Sequence, residues 1–233
     1  MTYYIDESVK KLDSSEICAL IAIKTVDSGF LKSLLRKSMA EIIADPILSQ
    51  HNGINSEWVP HFCNDHPYEV HSTFLRSISL MPFESHIVFG HKDKFQSTNE
   101  YDWYDHLARV LFAYRLAADR DRPVKIVFEQ HDSKVKKREA QLQTLFNKLE
   151  ASDAQRRRGE ARSISVTSAG KDELLLCLPD YIGGSFMSYL CNNDVQMIGP
   201  DRRKYEIISK KIRWIKDLDR KKIYTSKNPY HRD

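Results

Sequence analysis

Residues 16–26, EICALIAIKTV, constrain the fold more than any other stretch. The run is continuously apolar and rich in β-branched residues, the pattern of a strand buried on both faces. Such a strand needs a pairing partner at its edges and a covering layer above and below. Residues 2–6, TYYID, supply a second short strand of aromatic and β-branched residues. The polar link between the two is short, so they are expected to pair as a hairpin.

The rest of the chain alternates helix and strand. Asp27 or Ser28 caps a helix with Phe30, Leu34, Leu35, Met39 and Ile42 at its apolar positions. Pro46 stops it near Asp45. Residues 46–68 form a long polar loop in which function or disorder is expected. Residues 69–80 read as helical and 85–91 as a strand. Ser97 or Thr98 caps a helix carrying Tyr104, Leu107, Ala108, Leu111 and Phe112 on one face. A strand follows at 124–129, and then a helix with Leu142, Leu145, Phe146 and Leu149 in register. A basic loop at 155–160 leads to a strand at 163–167. Pro179 sits in the first turn of a helix reaching Cys191. In that helix Gly183 and Gly184 allow close approach to a sheet. The expected architecture is α/β, a mixed five-stranded sheet with an antiparallel front and parallel additions, flanked by helices. Residues 1–198 would form the main domain, with an insertion at about 27–68.

Charge divides the chain. Residues 201–233 hold 12 Lys and Arg against 5 Asp and Glu, a net of +7. The other 200 residues hold 24 against 27, a net of −3. The tail also spaces Tyr205, Ile208, Ile212, Ile215 and Leu218 at helical intervals. Residues 199–233 are therefore expected to dock as a basic helical extension. Two further basic clusters, around Lys134 and Lys137 and around Arg157, join Lys171, Lys210, Lys211 and Arg213 as candidate contacts to a nucleic-acid backbone. A solvated helix face is the plainer reading of such runs. A tail that binds a protein partner or a second copy of the chain is another.

Several classes lack their motifs. No GxxxxGK[ST], GxGxxG or GxSxG occurs, which argues against nucleotide-triphosphate, dinucleotide and serine-hydrolase chemistry. The N-terminus lacks the pattern of a secretory signal, and no long apolar run is evident, so a cytoplasmic protein without a membrane span is expected. Cys18, Cys63, Cys177 and Cys191 are scattered and read as reduced thiols. His61, Cys63, Asp65 and His66 form one loose cluster, whereas structural zinc usually has two ligand pairs. Trp58, Trp103 and Trp214 read as core residues.

The carboxylates carry the chemistry. Asp6 ends the first strand, Glu129 ends the fourth, and Asp180 opens the last helix, positions from which side chains can meet in a cleft. Clustered carboxylates repel unless cations neutralise them. Oxygen-only donors select Mg²⁺ or Mn²⁺, and two such ions can cleave a phosphodiester.

The opening YYIDES, EVH at 69–71, IVFE at 126–129 and LLLCLPDYIGGSFMSYL at 174–190 together resemble the domain of unknown function 3800 family. The resemblance implies an RNase H-like fold and a metal-dependent nuclease. It assigns Asp6 to bridge two metal ions, with Glu69, Glu129 and Asp180 as further ligands and His71 beside Glu69. His71 would position a phosphate or a water, or be an ordinary surface histidine. Glu129 stands where the family more often has aspartate, and Val9 where it has glycine. Glu69 precedes the third strand, so Glu7 or Glu100 could fill its role instead. The rival reading is a binding or scaffold subunit that keeps the fold without cleavage, in a prokaryotic mobile-element or phage-defence complex.

Overall fold

The computed structural model describes residues 1–12, 15–64, 68–95, 102–118, 122–130, 135–170, 172–191 and 199–231. It is an α/β protein built on one mixed sheet of seven strands with the order β5-β4-β1-β2-β3-β6-β7. The strands are β1 (Thr2–Leu12), β2 (Ser15–Thr25), β3 (Glu84–His91), β4 (Val124–Glu129), β5 (Ile164–Ala169), β6 (Ile212–Asp217) and β7 (Lys222–Thr225). The helices are α1 (Ser28–Ala44), α2 (Tyr68–Ser79), α3 (Asp102–Ala118), α4 (Val135–Arg157), α5 (Cys177–Cys191) and α6 (Pro200–Ser209).

The apolar run becomes β2, which lies mid-sheet with antiparallel partners on both edges. Residues Cys18 through Ile23 have no solvent exposure. Alternation along β1 and β2 sorts side chains between two cores. Tyr4, Ile21 and Ile23 face α1, α2, α5 and α6, while Tyr3, Ile5 and Leu20 face α3 and α4. Helix α1 starts where Asp27 accepts the Phe30 N–H at 2.9 Å and buries Leu31, Leu35, Ser38 and Ile42 along one stripe.

Three expectations needed correction. First, β1 does not end at Asp6. Its pairing with β2 continues to Leu12 opposite Ser15, so residues read as a polar link form the outer half of a long hairpin. Second, the sheet has seven strands rather than five, because the basic tail is a helix followed by a hairpin. Helix α6 stops at Ser209, and β6 adds in parallel to β3, with Trp214 beside His86 and Ile215 beside Ile87. The spacing of Ile208, Ile212 and Ile215 suits a helix, but Ile212 and Trp214 also alternate as a strand does. A free β3 edge then favours the strand. Third, α4 runs through the cluster expected to be a loop, and Arg156 and Arg157 form its last turn.

The outer edge of β5 is satisfied by α4. Gln143 donates to the Ile164 carbonyl and accepts the Val166 N–H, both at 2.9 Å. Glu139 accepts the Ser168 N–H at 3.2 Å. Side chains thus take the place of another strand at an edge that would otherwise invite pairing.

Helix α5 lies against the sheet. A Cβ on Gly183 would come within 2.6 Å of Ile21 Cδ1, so a larger residue there would have to push the buried Ile21 side chain aside. The stretch Leu174–Cys191, with mean hydropathy 1.3, is long and apolar enough to cross a membrane, contrary to expectation, but 67% of it is buried within the protein. That is the state of a core helix.

Candidate active site

The site forms where α5 begins, over the middle of β1 and the end of β4. The parallel register pairs Tyr4 with Val127 and Ile5 with Phe128. Continued by one residue, it sets Asp6 beside Glu129. Both share the parity of Tyr4 and Val127, which pack toward α5. Asp6 is 7% exposed, and one of its oxygens accepts the Glu7 N–H at 2.9 Å. Glu129 is half-buried.

Asp180 stands in the first turn of α5, where the helix dipole favours a carboxylate. With Glu129, Glu173, His61 and Asn64 it lines a cavity of about 220 Å³. The loop 59–64 closes one side, held by direct contacts to Asp180. The Phe62 N–H donates to Asp180 Oδ2 at 2.7 Å, and His61 Nδ1 lies 3.8 Å from the same oxygen. The sequence did not show that this loop would be ordered. Yet Ile54, Trp58 and Phe62 are buried, and that apolar spacing was the available signal.

His71 is neither exposed nor at the cavity wall. It is 4% exposed, and its Nε2 lies 2.9 Å from the Phe62 carbonyl oxygen. Its ring stacks on Phe62 at 4.6 Å and meets Tyr181 edge-on. The surface-histidine reading is corrected: His71 fixes the loop that contacts Asp180. Glu69 is solvent-exposed on the first turn of α2, whose Val70 and His71 turn inward. Glu7 points to the other face of the sheet and pairs with Arg138 at 3.3 Å. Glu100, Asp65 and His66 lie outside the described residues.

The expected phosphate contacts divide sharply. Lys137 and Lys210 are exposed. Arg157 is not available to a ligand, because it pairs with Glu150 at 2.8 Å and Asp153 at 3.3 Å. Lys211 donates to the Met81 carbonyl and lies over the Phe83 ring. Burial holds its pKa below the usual lysine range, helped by Arg213. Arg213 itself is exposed but pairs with Glu84 at 2.7 Å. Lys134 and Lys171 lie outside the described residues. All four cysteines are free, three buried and Cys63 exposed.

Asp6, Glu129 and Asp180 offer only oxygen donors, which suits Mg²⁺ or Mn²⁺. Among the described residues, no three His, Cys, Asp or Glu side chains are gathered closely enough to hold a metal ion. No protein-family model matches the chain, and no curated protein is significantly similar to it.

Proposed function

We propose that the chain is a metal-dependent nuclease with an RNase H-like core that hydrolyses nucleic-acid phosphodiester bonds. The observation that supports this reading is the parallel register of β1 and β4, which continued one residue past Ile5 and Phe128 sets Asp6 next to Glu129, together with Asp180 at the cavity that Glu129 lines. Strands β1 to β5, an antiparallel front with two parallel additions, agree with the fold implied by the resemblance to the domain of unknown function 3800 family.

The oxygen donors suit hard divalent ions, and Asp6, Glu129 and Asp180 are the residues that would hold them, although among the described residues no three acidic, His or Cys side chains are gathered around one point. When bound, such ions supply a Lewis acid and a water of lowered pKa. The protein's own share is positional. The Phe62 N–H orients Asp180, His71 fixes Phe62, and loop 59–64 narrows the cavity around the reacting group. The exposed Lys137 and Lys210 would attract the backbone without reading bases.

A second reading, a binding or scaffold subunit without cleavage, is favoured by one observation. Among the described residues, the acidic side chains are not gathered into a metal-holding group. Incubating the protein with labelled single- and double-stranded DNA and RNA, with Mn²⁺ or with EDTA, separates the two. Mn²⁺-dependent shortening of any strand supports the nuclease. Binding without shortening supports the scaffold.

A further inference from the structure

The hairpin formed by β1 and β2 outruns its neighbour β4. Pairing with β4 ends at Ile5, whereas β1 continues to Leu12. Past Asp6, the strand therefore lies beside the site with no β4 partner on that edge. Alternation puts Asp6, Ser8 and Lys10 on the face toward α5 and puts Glu7, Val9 and Lys11 on the other. Two contacts fix that parity. A Cβ on Gly183 would lie 3.6 Å from Ser8 Cβ, and Leu12 packs into the α5-side core. Glu7 meets Arg138, on the opposite side.

Lys10 is half-buried, where a lysine would be expected to have a counter-ion. Lys32, whose partner Glu173 lines the cavity, has one, at 2.7 Å. Lys10 makes no ion pair with any described residue. Its place on the strand sets it on the face that carries Asp6, with Ser8 between them against α5.

We propose that Lys10 is the phosphate-binding residue of this site, holding a phosphodiester backbone in the groove beside Asp6 and Asp180. The proposal rests on the nucleic-acid reading above and adds to Lys137 and Lys210 a cation on the face of β1 that carries Asp6. A lysine suits it, because an ammonium on a flexible stem binds phosphate as a point charge without dictating sequence.

The test is binding of a labelled single strand, DNA and RNA in parallel, measured by anisotropy in EDTA at two salt concentrations. Wild type is compared with Lys10→Gln and Lys11→Gln, and each protein is melted. Lys11 carries the same charge one residue along, on the other face. Lys10→Gln is expected to weaken binding about 5- to 10-fold at low salt, to flatten the salt dependence by about one unit of slope, and to leave Tm unchanged. Lys11→Gln is expected to bind as wild type. Unchanged affinity in Lys10→Gln, or an equal loss in both variants, overturns the assignment. So does a drop in Tm that accounts for the loss. Wild type that binds and loses affinity in Lys10→Gln, yet does not cleave with Mn²⁺, leaves Lys10 in place and removes the nuclease reading. Wild type that binds no strand removes both.

Discussion

His86 shows how much a single residue can tie stability to pH. It has no solvent exposure, and Arg115 donates to its Nε2 at 2.8 Å. Burial, with Arg115 next, pushes its pKa from 6.5 down to about 2. The folded ring therefore stays neutral where the unfolded ring takes a proton. Its contribution is complete above pH 6.5 and declines as pH falls from there toward 2. Between pH 6.5 and about 4.5 the slope should approach about 1.4 kcal/mol per pH unit. Denaturant titrations across that range should show it, and His86→Gln should be flatter. An equal slope in both proteins would place the pH dependence elsewhere. At this scale the sequence was informative for the motif residues. Glu129 and Asp180 fell where a strand-and-helix reading put them, at the end of β4 and the start of α5, whereas Asp6 lies within β1 rather than at its end. The surface reading of His71 failed because its burial depends on how α2 rotates against Phe62 and Tyr181, which no local pattern reports.

At the scale of elements, the end of α4 is an ion network rather than a phosphate patch. Glu150 is 2% exposed and accepts from Arg162 N–H at 3.0 Å, Arg162 Nε at 2.8 Å and Arg157 at 2.8 Å. Burial raises its pKa, but the bonds from Arg162 and Arg157 outweigh that and leave it lowered. The stability this adds is present above a pH of about 4.5 and is lost as pH falls through the folded value. Breaking a buried pair by removing one partner typically costs about 3–5 kcal/mol, so Glu150→Gln should lower the unfolding free energy by roughly 3 kcal/mol in urea. Arg157→Gln should also destabilise while leaving nucleic-acid affinity at its wild-type value. A loss of affinity at unchanged stability would restore Arg157 as a ligand contact. Element types were largely legible from periodicity and caps, as with Asp27 and α1. Two tertiary facts were not. The β3 edge turned a helix-spaced tail into β6, and pairing with β2 drew a polar link into β1. Runs of charge hid both, because a charged residue on an exposed strand position looks like a loop.

At the scale of the molecule, one continuous sheet brings residues far apart in sequence to a common face. Asp6 and Glu129 are carried on neighbouring strands because β4 inserts beside β1, and Asp180 is carried on α5, which Gly183 lets lie close over Ser8 of β1 and Ile21 of β2. Carboxylates placed together destabilise one another until a cation binds. Mg²⁺ or Mn²⁺ is therefore expected to raise Tm, since a ligand that binds only the folded state stabilises it. The most direct measurement is cleavage of labelled DNA and RNA by wild type and by Asp6→Asn, followed over time with Mn²⁺ and with EDTA, with Tm recorded for both proteins. Wild type should shorten at least one substrate with Mn²⁺ and none with EDTA. Asp6→Asn should be at least about 100-fold slower at an equal or higher Tm. Intact substrate after prolonged incubation of wild type with Mn²⁺, or equal cleavage by the two proteins, would contradict a nuclease built on these carboxylates.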